Sequence, residues 1–452
     1  MSRQFCLIWC VVAAFAVSTG ALAAGQLTPQ RNLRLMHRTL YRFKGATDGA
    51  HPQAGLVMDS KGNLYGTTSG LFSGTDCGTV FEISRATRAE SVLHAFSCGG
   101  RDGANPTSSL SIDGAGNLYG TTEYGGTGCT SSYLDGCGTV FEVAARTRAL
   151  CTARCGTRFA RIAQIHPEAI IQSFFTAGGW APDGGVLLEH TGTLFGTTSS
   201  GSCGNGTFGC GTVFEIVAGG RSRITLHTFW RGSGIDGFPK GRLLMGRGGN
   251  LYGTAWNDGG RHHVYGTVFE VMVATGKARI LHTFTGGLDG DMPNGGLVMD
   301  AKGNLFGTTQ LGGRGCEGSI SDYVIGCGSV FEIAAGTHRE RILYRFKGGA
   351  DGAEPQGGLI IDRAGNLYGT TSSGGKDCRA GCGTVFEITA HGHKERTLYR
   401  FKGARAGAGP MGRLLMGKSG NIYGTTFGGG RDCRKPGDLG PGCGTVFELI
   451  RR

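Results

Sequence analysis

The sequence predicts an all-β protein: a seven-bladed β-propeller of four-stranded antiparallel blades, closed by an N-terminal strand that completes the last blade. Three observations carry this. Glycine makes up 87 of the 452 residues, about one in five against a usual ~7%. Between the glycines stand β-branched and aromatic residues, the pattern of short strands joined by tight turns. Four short phrases recur in fixed order at a period near 55 residues, too long for helical or leucine-rich repeats. Finally, the chain opens on a phrase of the fourth type and ends on one of the third, so its two ends complete one unit.

The phrases run as follows. The first is Gly55-Leu56-Val57-Met58-Asp59, echoed by Leu297-Val298-Met299-Asp300 and Leu359-Ile360-Ile361-Asp362. The second is Gly62-Asn63-Leu64-Tyr65-Gly66-Thr67-Thr68, centred again on Tyr119, Phe195, Tyr252, Phe306, Tyr368 and Tyr423. The third is Gly78-Thr79-Val80-Phe81-Glu82, with later phenylalanines at 141, 214, 269, 331, 386 and 447. The fourth, such as Leu40-Tyr41-Arg42-Phe43, ends on Phe43, Phe96, Phe229, Phe284, Phe346 and Phe401, with Phe174 or Phe175 in the remaining unit. Each phrase has the length of an ordinary strand. Asp59-Ser60-Lys61-Gly62-Asn63 reads as a hairpin turn, because its glycine tolerates positive φ and its aspartate can bond nearby backbone. Pairing the chain's first strand, of the fourth type, around Leu40–Phe43 with the last strand around Thr445–Leu449 removes a sheet edge and closes the ring.

The N-terminus reads as an export signal over 1–23: Arg3, a mostly apolar run from Phe5 to Val17, then Ala21-Leu22-Ala23 as cleavage site. Residues 24–37 form a linker and 38–452 the propeller, with an insertion at 144–169 in blade two. The expected location is secreted or periplasmic, with no transmembrane anchor after signal cleavage. Fourteen of the 16 cysteines remain in the mature chain, and an even number in an exported protein favours disulfides. Within loops the expected pairs are Cys129 with Cys137, Cys203 with Cys210, Cys316 with Cys327, Cys378 with Cys382, and Cys433 with Cys443. Cys77 faces Cys98 across a hairpin. Cys151 and Cys155 share the insertion, where a zinc site with His166 is the weaker alternative to a disulfide. No cofactor is expected.

With Gly-Asn-Leu-Tyr-Gly-Thr-Thr, a Gly-Gly loop and Gly-Thr-Val-Phe in this order, the chain resembles the GloVer tandem-repeat proteins of bacteria over nearly all of its mature length. The resemblance implies export and a repeat-built ectodomain. It implies no established activity, so it assigns no catalytic residue.

A residue present in every unit is explained by the blade it builds. The glutamates after each third-strand phenylalanine and the Thr-Thr pairs fall in this class. The Asp-Gly loops at Asp48, Asp102, Asp236, Asp289 and Asp351 read as turns, with a ring of cation ligands as the alternative. A site is expected where the pattern breaks. The fourth-blade loop has no cysteine and instead carries Trp256, Asn257, Asp258, Arg261, His262, His263 and Tyr265; blade three adds Trp180 and Asp183 on the same face. Aromatic rings among amide, acid and basic groups suit a sugar or small polar ligand. The same histidines could serve a hydrolase or lyase; alternatively, the loop has only lost its disulfide. No catalytic motif of either class is present. Arg42 and Lys44, Arg345 and Lys347, and Arg400 and Lys402 mark a basic rim over blades seven, five and six. A net charge of +12 agrees with an acidic partner without naming it. The expected partner is a polysaccharide or acidic envelope component; nucleic acid is not expected, and a monomer is. The leading reading is a binding or scaffold module, its rivals an exported enzyme and a structural spacer.

Overall fold

The computed structural model describes residues 35–451 except 46–47, 71–75, 99–101, 128–135, 146–167, 175–178, 202–210, 220–221, 230–236, 257–264, 314–315, 317–325, 376–380 and 431–441. Seven antiparallel sheets, each with the four blade strands, follow one another along the chain. Blade 1 consists of Val57–Met58, Leu64–Thr68, Thr79–Ile83 and Glu90–Ala95. Blade 7 contains Leu415–Met416, Ile422–Thr426 and Thr445–Arg451, and takes its outer strand, Leu35–Arg42, from the other end of the chain. That strand starts at Leu35, ahead of the boundary at 38, because its ladder continues to Arg451. Likewise the outer strand of blade 2, Glu168–Ser173, takes up the last residues of the segment read as an insertion.

Each outer strand carries a bulge. In blade 1, Val80 pairs with His94 and Phe81 with Val92, leaving Leu93 unpaired and buried. The extra residue bends the strand and adds local twist. Past the bulge, the phenylalanine that ends each fourth phrase meets the third-strand phenylalanine of the following blade. Phe43 packs on Phe81, Phe96 on Phe141, Phe174 on Phe214, and so on around the ring, with centroids 4.9–5.2 Å apart. Phe174, not Phe175, therefore fills the place the sequence left open. Such tilted or edge-to-face pairs add about 0.5–1.5 kcal/mol each beyond area burial.

The polar residues repeated in every unit are blade hardware. Glu448 accepts from Tyr423 Oη at 3.0 Å and Asn421 Nδ2 at 2.8 Å; Glu270 accepts from Tyr252 Oη at 2.9 Å and Asn250 Nδ2 at 2.7 Å. The second threonine of each pair bonds its third-strand neighbour, as in Thr68 to Thr79 at 2.9 Å. In five blades the first reaches the next blade: Thr67 Oγ1 donates to Ser108 O at 3.2 Å, and Thr425 Oγ1 to Ala54 O at 2.8 Å across the closure. In the first hairpin Asp59 accepts from Asn63 N, Asn63 Nδ2 and Tyr65 Oη. The described Asp-Gly carboxylates are engaged within their own turns: Asp48 accepts from Lys44 N and Tyr41 Oη, and Asp351 from Lys347 N and Tyr344 Oη, while Asp236 lies outside the described residues.

A disulfide joins Cys77 to Cys98, and another joins Cys316 to Cys327. Cys137, Cys382 and Cys443 are also disulfide-bonded. Cys129, Cys151, Cys155, Cys203, Cys210, Cys378 and Cys433 lie outside the described residues.

Candidate functional site

The inner strands converge on a central cavity of about 230 Å³ to which all seven blades contribute. A motif that the repeat phrases hide builds its wall. Seven of the eleven prolines, one per blade, introduce a Pro-X-small-X-Leu/Val segment at 52, 106, 182, 239, 293, 355 and 410. Each proline sits on the glycine that opens the preceding blade's Gly-Thr/Ser-Val-Phe phrase. A Cβ on Gly78 would come within 2.6 Å of Pro106 Cδ, and one on Gly444 within 2.5 Å of Pro52 Cδ, so only glycine allows this approach.

The residue ahead of the proline adds a second clamp. His51, Asn105, Ala181, Met292 and Glu354 hold positive φ of 54–58°, a conformation that non-glycine residues seldom adopt. Their N–H groups donate to the residue before that same glycine: His51 to Cys443 O at 2.9 Å, Asn105 to Cys77 O at 2.9 Å, Met292 to Tyr265 O at 3.0 Å. Blade 4 breaks the rule. There Phe238 instead pairs with Trp256 as an added short strand.

Two rings of divergent side chains stand on this regular frame. Directly after the prolines come Gln53, Thr107, Asp183, Lys240, Asn294, Gln356 and Met411; after the Thr-Thr pairs, or Thr-Ala in blade 4, come Ser69, Glu123, Ser199, Trp256, Gln310, Ser372 and Phe427. In blades 1, 5 and 6 the two rings are linked by plain hydrogen bonds, such as Gln53 Nε2 to Ser69 Oγ at 3.0 Å and Gln356 Nε2 to Ser372 Oγ at 3.2 Å. In blade 4 the pair is Lys240 and Trp256: the ammonium lies 4.9 Å from the indole centroid, within cation–π range. The same ammonium reaches Asp183 Oδ2 at 3.9 Å. Asp183 Oδ1 and Trp256 Nε1 are buried and have no hydrogen-bond partner among the described residues. Burial foremost, and then the nearby Glu123 carboxylate, push the Asp183 carboxyl up to about 7, against a smaller opposing pull from Lys240. It can therefore exchange a proton near neutrality.

The structure thus brings Asp183 and Trp256 together through Lys240. Lys240 was not singled out in the sequence, although it alone is basic among the residues after the prolines. Trp180 is not part of this group: its backbone bridges Ser200 at 2.6 and 3.2 Å, and its ring packs on the core between blades 2 and 3. Tyr265 has a role in the backbone frame. It occupies the position that other blades give to cysteine, lends its carbonyl to the Met292 clamp, and lies so close to Gly286 that a Cβ there would be 2.3 Å away. Asn257, Asp258, Arg261, His262 and His263 lie outside the described residues.

On the outer rim the arginines are already bonded. Arg42 Nε donates to Arg405 O at 3.1 Å, Arg345 Nε to Leu288 O at 2.9 Å, and Arg400 Nε to Ala350 O at 2.7 Å. Each ties its strand to the loop that enters the same blade. Lys44, Lys347 and Lys402 remain exposed.

Fold and channel together define a seven-bladed propeller with a polar, pattern-breaking face over blades three and four. The Gloeobacter/Verrucomicrobia repeat matches residues 27–155, 162–321 and 321–451, and the chain belongs to this family. Among solved structures it is similar to the extracellular domain assigned to a hybrid two-component system of B. thetaiotaomicron, with a TM-score of 0.50 and 11% identity over 92% of this chain and 42% of that one. The chain thus spans less than half the length of that relative. An oligogalacturonate lyase aligns with a TM-score of 0.49 and 11% identity over 93% of this chain and 97% of the other. A gluconolactonase of Xanthomonas campestris gives 0.42 and 12% over 92% and 90%. At such identities the likeness is one of fold. No curated protein matches the chain. Its disulfides suit an extracytoplasmic setting.

Proposed function

We propose that this chain is an exported binding module whose channel face recognises a carbohydrate or acidic polymer at the cell envelope, and that residues 1–23 direct its export. One observation carries the reading. At the point where the seven-fold pattern fails, the Lys240 ammonium and the buried Asp183 carboxyl stand at the lining of the central cavity, and the same ammonium lies over the Trp256 indole. Indole faces stack on sugar rings, while a few convergent polar groups fix orientation. The exposed rim lysines favour an acidic ligand by long-range attraction. A glycan array probed with the mature protein tests this. Retention of a defined set of glycans or acidic polymers is expected, and no binding at either low or physiological salt would end the proposal.

A second reading, an exported hydrolase or lyase, draws on Asp183. A carboxyl poised near neutrality can act as acid or base. It requires a turnover on a sugar or lactone that Asp183→Asn abolishes, with His262→Ala and His263→Ala as companion tests.

A further inference from the structure

At the fourth position of each proline segment the seven blades read Gly55, Ser109, Gly185, Arg242, Gly296, Gly358 and Arg413. Five blades have a small residue here and two have an arginine. The small residues let neighbouring backbones close up: a Cβ on Gly296 would lie 2.9 Å from Arg242 O, and one on Gly55 2.6 Å from Arg413 O. The arginines stand three blades apart one way and four the other, so they face each other across the channel.

Both arginines line the cavity, and among the described residues neither has an acid partner. Arg242 Nη2 donates to Ser111 Oγ at 2.8 Å, while its Nε is buried with no acceptor. Arg413 Nε donates to Leu359 O at 3.0 Å. Enclosure, and for Arg242 also the positive charge of Arg413, make each cation less favourable than in water. The charged residues lining the cavity are Lys240, Arg242, Arg413 and Asp183: three cations against one carboxyl, which Lys240 already faces. Enclosed charge of one sign is costly unless a counter-charge answers it. Arginine offers planar paired donors that match an oxyanion.

We propose that the cavity is an oxyanion site in which Arg242 and Arg413 together hold one small carboxylate or phosphate. At about 230 Å³ it falls below the ~300–1,000 Å³ of drug-sized ligand pockets, so it takes a single sugar acid or phosphate rather than a length of polymer. The site rests on different residues from the channel face around Trp256, and the failure of one leaves the other standing.

Calorimetric titration of the mature chain with galacturonate, with inorganic phosphate, and with neutral galactose as control decides the matter. Saturable binding of at least one anion is expected, with Kd between about 10 μM and 1 mM, and none of galactose; the stronger anion identifies the source. Arg242→Met and Arg413→Met should each weaken binding by about tenfold or more, while Lys302→Met, at an exposed hairpin position outside the cavity lining, leaves it in place. Where a methionine variant fails to fold, Arg413→Lys keeps the charge, and the rise in wild-type melting temperature with anion gives an independent reading. Absence of saturable binding by the wild type overturns the proposal. So does equal binding of galactose, or unchanged anion affinity in a folded Arg413→Met protein; in that last case the arginines only plug the channel.

Discussion

Asp183 stands where five other blades place a neutral side chain, and its enclosure has a consequence for stability. Its folded pKa of about 7 lies above its ordinary value of 3.8. Between those values the folded chain keeps a proton that the unfolded chain has lost, so stability falls as pH rises through this window. Asp183→Asn removes the penalty. Relative to wild type, the variant should gain on the order of 2–3 kcal/mol between about pH 5 and about pH 8, read by urea unfolding at the two pH values. A difference that stays constant with pH would show an ordinary, solvated carboxylate. His37 is another perturbed group. It stacks on Tyr399 of the neighbouring blade at 4.2 Å, and burial lowers it to about 4. It therefore sits neutral in the closure, fixing the N-terminal strand by packing rather than by charge.

At the scale of elements, the Cys77–Cys98 disulfide ties the start of one strand to the end of its partner across 21 residues. Replacing both cysteines with serine should cost about 3 kcal/mol by loss of loop closure, measured as a shift in the urea midpoint with the slope unchanged. Strand order, the hairpin aspartates and the structural role of the repeated glutamates were legible in the sequence, because each rests on contacts within one unit. The proline segment was not. Its framework recurs, but its two variable positions differ from blade to blade, so a search for repeated phrases passes over the residues that face the channel. Tyr265, an aromatic at a break in the pattern, also keeps the backbone role of the cysteine it replaces. Arg242 and Arg413 carry a visible signal, arginine where other units have glycine or serine, but only ring closure brings positions so distant in sequence to one cavity.

For the whole molecule, the closure by Leu35–Arg42 is the element on which the ring depends. Deleting that strand exposes the edge of Thr445–Arg451, a template for pairing with another chain. The truncated protein should lose its single calorimetric transition and self-associate in sedimentation; a monomer that unfolds like wild type would mean the ring does not need the closure. The repeat supplies architecture, and the proposed recognition lies on the face where blades three and four depart from it. The most direct measurement is a crystal structure of the mature chain soaked with a glycan that the array retains. The account predicts sugar density at the channel mouth, stacked on Trp256 and within hydrogen-bond reach of Lys240 or Asp183. Density confined to the outer rim or to the opposite face, with the channel mouth empty, would contradict it.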